Sequence, residues 1–260
     1  MRKSETLSLD TLAVRIAQAD RKAFRMFFAR TAPKAYGLAL QLVAGDPATA
    51  QRVVAQAYAD TWQTAGQFRT GPQDPLCALM VRVRDAARAG APRTGGPVPP
   101  VPADVGLPGV GAVRNALIAR AYWTVTDYAT LARDAAVDAE TARGWVQDAL
   151  RTGLAGADIP VAAAEYALGL LPGPEAAALA DDVLFGGPVG DAIDRAAHRF
   201  ARIGLAVPAV DPPETLWPRI DSAIAAPGGR ALWTALWPYA AGAALAVVIL
   251  WMAQGALLGP

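Results

Sequence analysis

The chain has 260 residues, enough for two small domains, and its 53% hydrophobic content and mean hydropathy of +0.24 are high for a soluble protein. These values indicate a part that lies in a membrane. One cysteine, Cys77, and one histidine, His198, exclude an internal disulfide and a zinc site of Cys and His ligands. The net charge is +1, but residues 1–110 carry 14 basic and 8 acidic side chains, whereas residues 161–260 carry 5 and 9. Opposite charges at the two ends favour either separate partners or two segments that bind each other.

Motifs for catalysis are not recognisable in the chain. The sequence "GVGAVRNAL" at residue 109 lacks the Gly-Lys-Ser/Thr ending of a phosphate loop, and no nucleophile and base constellation is apparent. His198 lies beside the apolar stripe of its predicted helix, as a solvated or capping histidine does. We therefore expect a protein that is not an enzyme and that uses neither a metal nor another cofactor.

The N-terminus "MRKSETLSLD" is polar and does not predict a signal peptide. Three helical stretches follow it. The first carries an apolar stripe from Leu12 to Phe27, the second runs from residue 47 to about 67, and the third from about 75 to 89. The third stretch has a basic side, which is usually a solvated face and is also the pattern of a nucleic-acid contact. Its members are Arg82, Arg84 and Arg88.

Proline and glycine crowd residues 91–111 and predict an extended, semi-flexible linker. After it, residues 127–150, "DYATLARDAAVDAETARGWVQDAL", predict two short helices with a turn at residues 136–138. This is the outline of a helix-turn-helix domain over residues 112–156.

The second helix of that pair is acidic. It carries Asp138, Glu140 and Asp148 and a single arginine, Arg143. Phosphate contacts supply much of the affinity of a protein for DNA, so an acidic helix is repelled by the backbone that it would enter. The sequence therefore predicts weak or absent DNA binding.

A second break at residues 153–160 and the proline-containing segment "AVPAVDPP" at 206–213 mark the bounds of a further helical part and of a short last helix. No strand-like alternation of useful length is present, so the predicted fold is all-α. The predicted organisation is a helical domain over 1–90, the linker 91–111, the helix-turn-helix domain 112–156, a small helical domain over 157–230, and one C-terminal transmembrane helix over 231–260.

The C-terminal residues 231–260 contain no charged side chain, and such a run is long enough to cross a hydrocarbon core of roughly 30 Å as a helix. Aromatic residues stand near both of its ends, as they do at membrane interfaces. These are Trp233, Trp237, Tyr239 and Trp251. Arg219 and Arg230 precede the run and no positive residue follows, which predicts a single-pass anchor through 231–258 in the inner (cytoplasmic) membrane with the bulk of the chain in the cytoplasm.

A pattern in the first 90 residues combines an IA-x-x-D-x-x-AF opening, an R-x-AP-x-x-YGLAL middle and a final Trp and Phe. Its residues are Ile16, Ala17, Asp20, Ala23, Phe24, Arg30, Ala32, Pro33, Tyr36, Gly37, Leu38, Ala39, Leu40, Trp62 and Phe68. With this pattern most of residues 10–90 resemble region 2 of the extracytoplasmic-function sigma factors. The helix-turn-helix of residues 127–150 resembles region 4 of the same family in shape more than in residues.

Two departures from that family bear on partners. Region 2 carries an acidic patch that meets the polymerase clamp, and this chain has Gln51, Arg52, Gln56 and Ala57 there. Binding to the RNA polymerase core is therefore not predicted. The region 4 helix supplies basic residues toward the promoter, and here only Arg143 is basic at the corresponding place.

The later half carries a second pattern, with an A-x-EY-x-LG-x-L segment, an E-x-x-A helix and a P-P-x-x-LW-x-RI helix before the predicted anchor. Its residues are Ala163, Glu165, Tyr166, Leu168, Gly169, Leu171, Glu175, Ala178, Pro212, Pro213, Leu216, Trp217, Arg219 and Ile220. This part is similar to the cytoplasmic domain of anti-sigma-K type regulators. The resemblance implies inhibition by a small helical bundle and a separate last helix that lie between the two lobes of a sigma factor. The partner-binding residues expected here are Tyr166, Leu168, Trp217, Arg219, Ile220 and Ile224.

These patterns predict a membrane-anchored regulator of transcription initiation, in which a degenerate sigma-like module is fused to an anti-sigma domain. The expected partner is a sigma factor, either the N-terminal module of this chain or a separate protein. An alternative is a membrane-tethered RNA polymerase sigma factor that binds promoter DNA, with Arg82, Arg84, Arg88 and Arg143 as contacts. A structural membrane scaffold without either role is a third interpretation.

Overall fold

The computed structural model describes residues 7–66, 74–90, 98–99, 106–124, 126–185 and 187–225. These residues form eleven α-helices and no strand, so the predicted all-α class is confirmed for them. The helices are α1 (Leu9–Ala17), α2 (Arg21–Leu42), α3 (Pro47–Gln63), α4 (Pro75–Gly90), α5 (Ala112–Trp123), α6 (Tyr128–Ala135), α7 (Ala139–Gly153), α8 (Val161–Leu168), α9 (Gly173–Phe185), α10 (Pro188–Leu205) and α11 (Leu216–Ala225).

The helix α10 connects several helices of one compact unit. The chain up to Ile220 forms one compact unit, and a second unit begins at Asp221, of which the structure describes residues 221–225. In the first unit α10 packs against α2, α4, α5, α8 and α9. Its buried side chains are Ala192, Ile193, Ala196, Phe200, Ala201 and Ile203. Because α10 contacts helices from all three segments predicted as domains, these segments pack together up to Ile220.

The first predicted helical stretch is two helices instead of one. Ala19 has a left-handed backbone conformation with φ of 63°, which ends the helical path after α1. Asp20 then begins α2, because its carboxylate accepts a hydrogen bond of 2.9 Å from the backbone N–H of Ala23. The same carboxylate forms an ion pair of 2.6 Å with Arg15. The apolar stripe is kept across this turn, with Leu12 and Phe27 both fully buried.

The core of the first four helices is aromatic. Phe24 and Tyr58 are fully buried, and the ring centroid of Phe24 lies 5.2 Å from that of Trp62. The hydroxyl of Tyr58 hydrogen-bonds to Thr31 at 2.6 Å, and the hydroxyl of Thr31 also donates to the carbonyl oxygen of Phe27 at 2.7 Å. Burial raises the pKa of Tyr58, so the phenol stays neutral. Its one polar atom therefore has a partner inside an apolar core.

The two short helices predicted for residues 127–150 are present as α6 and α7. Asp127 and Asp138 begin the two helices by accepting hydrogen bonds from the backbone N–H groups of Thr130 at 2.7 Å and Thr141 at 2.8 Å. Between the helices Ala136 adopts the left-handed conformation that commonly ends a helix. The turn therefore falls at residues 136–138, as the sequence predicts.

The predicted linker 91–111 lies mostly outside the described residues. Its end, residues 106–111, is a turn that packs on α7. The side-chain oxygen of Asn115 accepts from the backbone N–H of Leu107 at 2.9 Å, and its amide nitrogen donates to the carbonyl of Val110 at 2.8 Å. Leu107 is buried and occupies the space in which a side chain at Gly153 would lie. This end of the segment is thus held in place, contrary to the prediction of a semi-flexible linker.

The predicted transmembrane helix over 231–260 lies outside the described residues. Among the helices that the structure does describe, none combines the length and the apolar character that crossing a bilayer requires. The anchor therefore remains a prediction from the sequence.

The single thiol of the chain should react slowly in the native protein. Cys77 is 6% exposed, and burial together with the nearby Asp74 carboxylate raises its pKa from 9.0 to about 11. We expect a chromogenic disulfide reagent at pH 8 to label the native chain at least about tenfold more slowly than the urea-unfolded chain. Since the unfolded thiol ionises first, the contribution of Cys77 to stability should fall as pH rises from about 9 to about 11. Equal labelling rates at pH 8 would contradict the buried position.

Candidate functional site

The candidate site is the set of contacts between the front part of the chain, α1 to α7, and the back part, α8 to α11. The last helix supplies the first contact. Leu216 and Ile220 of α11 are fully buried, and Trp217 lies against two phenylalanine rings of α2. Its ring centroid is 5.0 Å from that of Phe28 and 6.1 Å from that of Phe24. Aromatic pairs at these distances attract each other beyond the apolar area that they bury.

A cation adds to this contact. The guanidinium carbon of Arg25 lies 5.7 Å from the centroid of the Trp217 ring. Of the other residues predicted on this helix, Arg219 is exposed and Ile224 lies in the second unit, near the end of α11. The last helix therefore has the predicted apolar face, with Leu216 and Ile220 buried, and its Trp217 packs on α2 of the same chain.

Residues 206–213, here called the strap, join α10 to α11 and lie along α2. The backbone N–H of Val210 donates to the carbonyl oxygen of Pro33 at 2.9 Å. The ammonium group of Lys34 donates to the carbonyl oxygens of Leu205 at 3.0 Å and Val207 at 2.7 Å. Leu205 is the last residue of α10, so Lys34 places a positive charge at the negative end of that helix.

The strap approaches α2 so closely that one position there requires glycine. A Cβ atom at Gly37 would overlap the carbonyl oxygen of Pro208. That oxygen belongs to the backbone and cannot rotate away as a side chain can. Gly37 is part of the "YGLAL" sequence, and this approach supplies a physical reason for glycine at that place.

In the interior, Arg84 of α4 links the C-terminal ends of α5, in the front part, and α8, in the back part. It is 4% exposed, and its guanidinium donates to carbonyl oxygens in the last turns of α5 and α8. The acceptors are Tyr122 at 3.0 Å, Ala121 at 3.5 Å, Ala167 at 2.7 Å and Leu168 at 3.2 Å. Carbonyls in the last turn of a helix have no partner within the helix, so one planar guanidinium satisfies both ends. Burial lowers the pKa of Arg84, which nevertheless remains a cation.

This position corrects the sequence-based prediction that Arg84 faces nucleic acid. A buried guanidinium surrounded by carbonyl acceptors cannot reach a phosphate. Arg88, one turn later, donates to the carbonyl of Leu168 at 3.0 Å and fills the space over Gly169, which has a left-handed φ of 75°. Arg82 donates to the hydroxyl of Thr64 at 2.9 Å. All three arginines therefore make contacts inside the protein.

A buried carboxylate joins the helix-turn-helix to the back part. Glu165 of α8 is 2% exposed and accepts hydrogen bonds from the hydroxyl of Tyr128 in α6 and from Gln147 in α7, the latter at 3.2 Å. Arg143 of α7 lies 3.7 Å from the same carboxylate and donates to Glu175 of α9 at 2.7 Å. Arg143 is thus paired with two acids of the back part, whereas Arg151, the other arginine of α7, is exposed.

The charges of these groups follow from the contacts. The hydrogen bond from Arg143 to Glu175 raises the pKa of Arg143, and burial followed by the bond to Glu165 raises the pKa of Tyr128. Of the acids on α7, Asp138 accepts from Thr141, and Asp148 forms an ion pair with Arg114 of α5. Arg143, Gln147 and Asp148 of α7 are therefore engaged within the chain, and of the two arginines of this helix only Arg151 is exposed.

The two remaining predicted partner-binding residues belong to α8. Leu168 is buried, and its carbonyl binds Arg84 and Arg88, whereas Tyr166 is half-buried. The sequence interpretation did not include Phe28, Lys34 or Gly37 in the site. Glu165 and Gly37 stood in the quoted patterns, but a pattern alone does not tell which of its residues contacts another segment. In the described part of the chain no group of three His, Cys, Asp or Glu side chains is arranged to hold a metal ion.

Comparison of the chain with protein-family models, with curated proteins and with solved structures finds no match. The assignment of a function therefore depends on the contacts described above.

The contacts of Arg143 lead to a prediction about DNA. Because Glu175 pairs with this arginine and Asp138 and Glu140 stand at the start of α7, the full-length chain should bind duplex DNA with a Kd of about 100 μM or weaker at physiological salt. Fluorescence anisotropy with labelled duplexes of several sequences measures this, and residual binding should disappear as salt increases. Tight, sequence-selective binding would instead support the sigma-factor alternative.

Proposed function

We propose that the protein is a membrane-anchored regulator of transcription initiation in which the back part acts as an anti-sigma segment. Its sigma-like partner is, in the first place, the front part of the same chain. The observation that carries the proposal is the docking of α11, with Trp217 against Phe24 and Phe28 of the segment that resembles sigma region 2. The pairing of Glu165 and Glu175 with Arg143 supports it, because it engages one of the two arginines of the region 4-like helix.

The proposal also includes a separate sigma factor as partner. The helix α11 binds α2 of its own chain through Trp217. After its release from α2, the same face of α11 can bind the corresponding surface of a separate sigma factor. The basic front and the acidic back of the chain favour the same pairing through charge. A membrane-tethered sigma factor is less consistent with the buried Arg84 and the paired Arg143, because both would have to be released before either met DNA.

The test uses the full-length chain in mild detergent and reconstituted transcription with the separate sigma factors of the source organism. Gly37→Ala displaces the strap and frees the α11 segment with its sequence unchanged, so this variant should repress transcription by at least one sigma factor more strongly than the wild type does. Gly37→Ala combined with Trp217→Ala should lose the added repression. If neither the wild type nor Gly37→Ala binds or represses any sigma factor, the anti-sigma function toward a separate sigma factor is rejected.

The anchor leads to a separate expectation about location. The uncharged run over residues 231–260, with Arg219 and Arg230 before it, should keep the full-length chain with inner membranes after carbonate extraction. A chain that ends at residue 230 should be soluble, and reporters fused at the N-terminus should be active only in the cytoplasm. Release of the full-length chain by carbonate would contradict the anchor.

A further inference from the structure

Two kinds of contact join the back part to the front part. The contacts of α8 and α10 are interior, since they include the buried guanidinium of Arg84 and fully buried residues such as Phe200. Separation of α8 from α4 would leave the carbonyl groups of Ala167 and Leu168, and the guanidinium N–H groups that bind them, without partners, which is costly in an apolar interior. The strap and α11 contribute the buried apolar side chains of Val207, Leu216 and Ile220 but no buried charged group, so their separation from α2 leaves fewer polar groups without partners. The contacts of α8 and α10 are therefore costly to break, and those of the strap and α11 with α2 are less costly.

The strap holds α2 through few interactions. It forms no helix, and its proline residues, Pro208, Pro212 and Pro213, favour an extended backbone that loses little entropy on docking. Its polar contacts with α2 are the bond from Val210 to Pro33 and that from Lys34 to Val207. Both depend on a backbone that lies directly on α2, and Gly37 permits that approach.

The helix α11 has only ten residues, and a helix of this length is marginal in water on its own. Its order therefore depends on the face that carries Leu216, Trp217 and Ile220. When the strap leaves α2, α11 loses the connection that holds it near Phe24 and Phe28. The strap and α11 should consequently dock and leave together.

We propose that the strap and α11 form a latch that docks in cis on α2 and opens as one unit while α1 to α10 keep their fold. Gly37 and Lys34 are the residues of α2 that select the strap, and the Phe24 and Phe28 rings select Trp217. This inference rests on the proposed function and deepens it by stating which segment opens to release α11 from the front part of the same chain. Its test requires no sigma factor, so a failure here is distinguishable from a failure of that function.

Hydrogen exchange of the full-length chain tests whether the latch opens separately. In Gly37→Ala, the amides of Leu216, Arg219 and Ile220 in α11 should exchange at least about tenfold faster than in the wild type. The buried amides of Ala196 and Phe200 in α10 should be unchanged. Gly144→Ala is the matched control, because Gly144 is also a helical glycine and no atom lies within 4 Å of a Cβ placed there. It should leave α11 unchanged.

A second variant keeps the test decisive if Gly37→Ala does not fold. Trp217→Ala weakens the resident α11 but leaves the α2 surface intact. The chain with Trp217→Ala should therefore bind a synthetic peptide of residues 206–225 at least about tenfold more tightly than the wild type, in which the tethered latch competes at high effective concentration. Adding Gly37→Ala to Trp217→Ala should abolish peptide binding.

The hydrogen-exchange and peptide-binding results together decide whether the latch opens separately. Faster exchange confined to the latch, together with peptide binding that requires glycine at position 37, supports the proposal. Loss of protection in α10 along with α11 would show that no separate latch exists and would overturn it. Unchanged exchange in Gly37→Ala and equal peptide binding by wild type and Trp217→Ala would overturn it as well.

Discussion

Replacement of Arg84 by alanine should lower the free energy of unfolding of the full-length chain by about 3 to 5 kcal/mol, the range expected when a buried group is removed and its partners are left unsatisfied. The guanidinium binds carbonyls of α5 and α8 from α4, and its carbon lies 4.8 Å from the centroid of the Tyr122 ring. Alanine leaves a cavity beside that ring and carbonyls that water does not reach. Denaturant unfolding followed by circular dichroism in mild detergent measures the loss.

Two further variants define what Arg84 contributes. Arg84→Lys keeps the charge but has no planar fork, so it should recover less than half of the loss. Arg133→Ala removes an exposed arginine whose contacts lie within α6, and it should change stability by no more than about 0.5 kcal/mol. A loss of less than about 1 kcal/mol in Arg84→Ala would contradict the role of Arg84 as the link between α4, α5 and α8.

Replacement of Trp217 by alanine should make the opening of α11 easier by about 2 to 4 kcal/mol, which corresponds to an open population at least about thirtyfold larger. The ring is half-buried, so the lower half of the range is expected. Limited proteolysis gives the readout, because trypsin cleaves after the exposed Arg219 only when α11 opens.

Trp217→Phe is the matched variant for this effect. A phenyl ring keeps contact with Phe24 and Phe28 but loses the cation–π contact with Arg25, so its cleavage rate should lie between those of the wild type and Trp217→Ala. Equal cleavage rates in all three chains would show that Trp217 does not hold α11 on α2.

The turn between α1 and α2 illustrates a limit of sequence patterns. The apolar spacing from Leu12 to Phe27 continues through residues 18–20, because the turn preserves the buried face on both sides. Two features end α1 and begin α2. The first is the left-handed backbone conformation of Ala19, which cannot be recognised from an alanine in a sequence, and the second is Asp20 at the start of α2. Asp20 is a residue type that favours the start of a helix, but the continuous apolar spacing around it predicted one uninterrupted helix.

The sequence by itself determined the helical class, the pair of short helices α6 and α7 with the turn between them, and the apolar face of the last helix. These features depend on short-range physics: aspartates that accept from backbone N–H groups at helix starts, as Asp46, Asp127 and Asp138 do, and apolar residues at helical spacing. Such interactions join residues at most a few positions apart, so a local sequence contains both partners.

Only the tertiary structure decided which residues of the back part meet which residues of the front part. Arg82, Arg84 and Arg88 look alike in sequence, yet Arg84 is the one enclosed by carbonyls of residues 121, 122, 167 and 168. Its burial results from the packing of α4 against α10 and from the positions of the α5 and α8 ends, which are 37 to 84 residues away in the chain. The contact of Trp217 with Phe28 also depends on the tertiary structure. The apolar face of α11 predicts that this helix packs on some surface, and only the fold determines that this surface is α2.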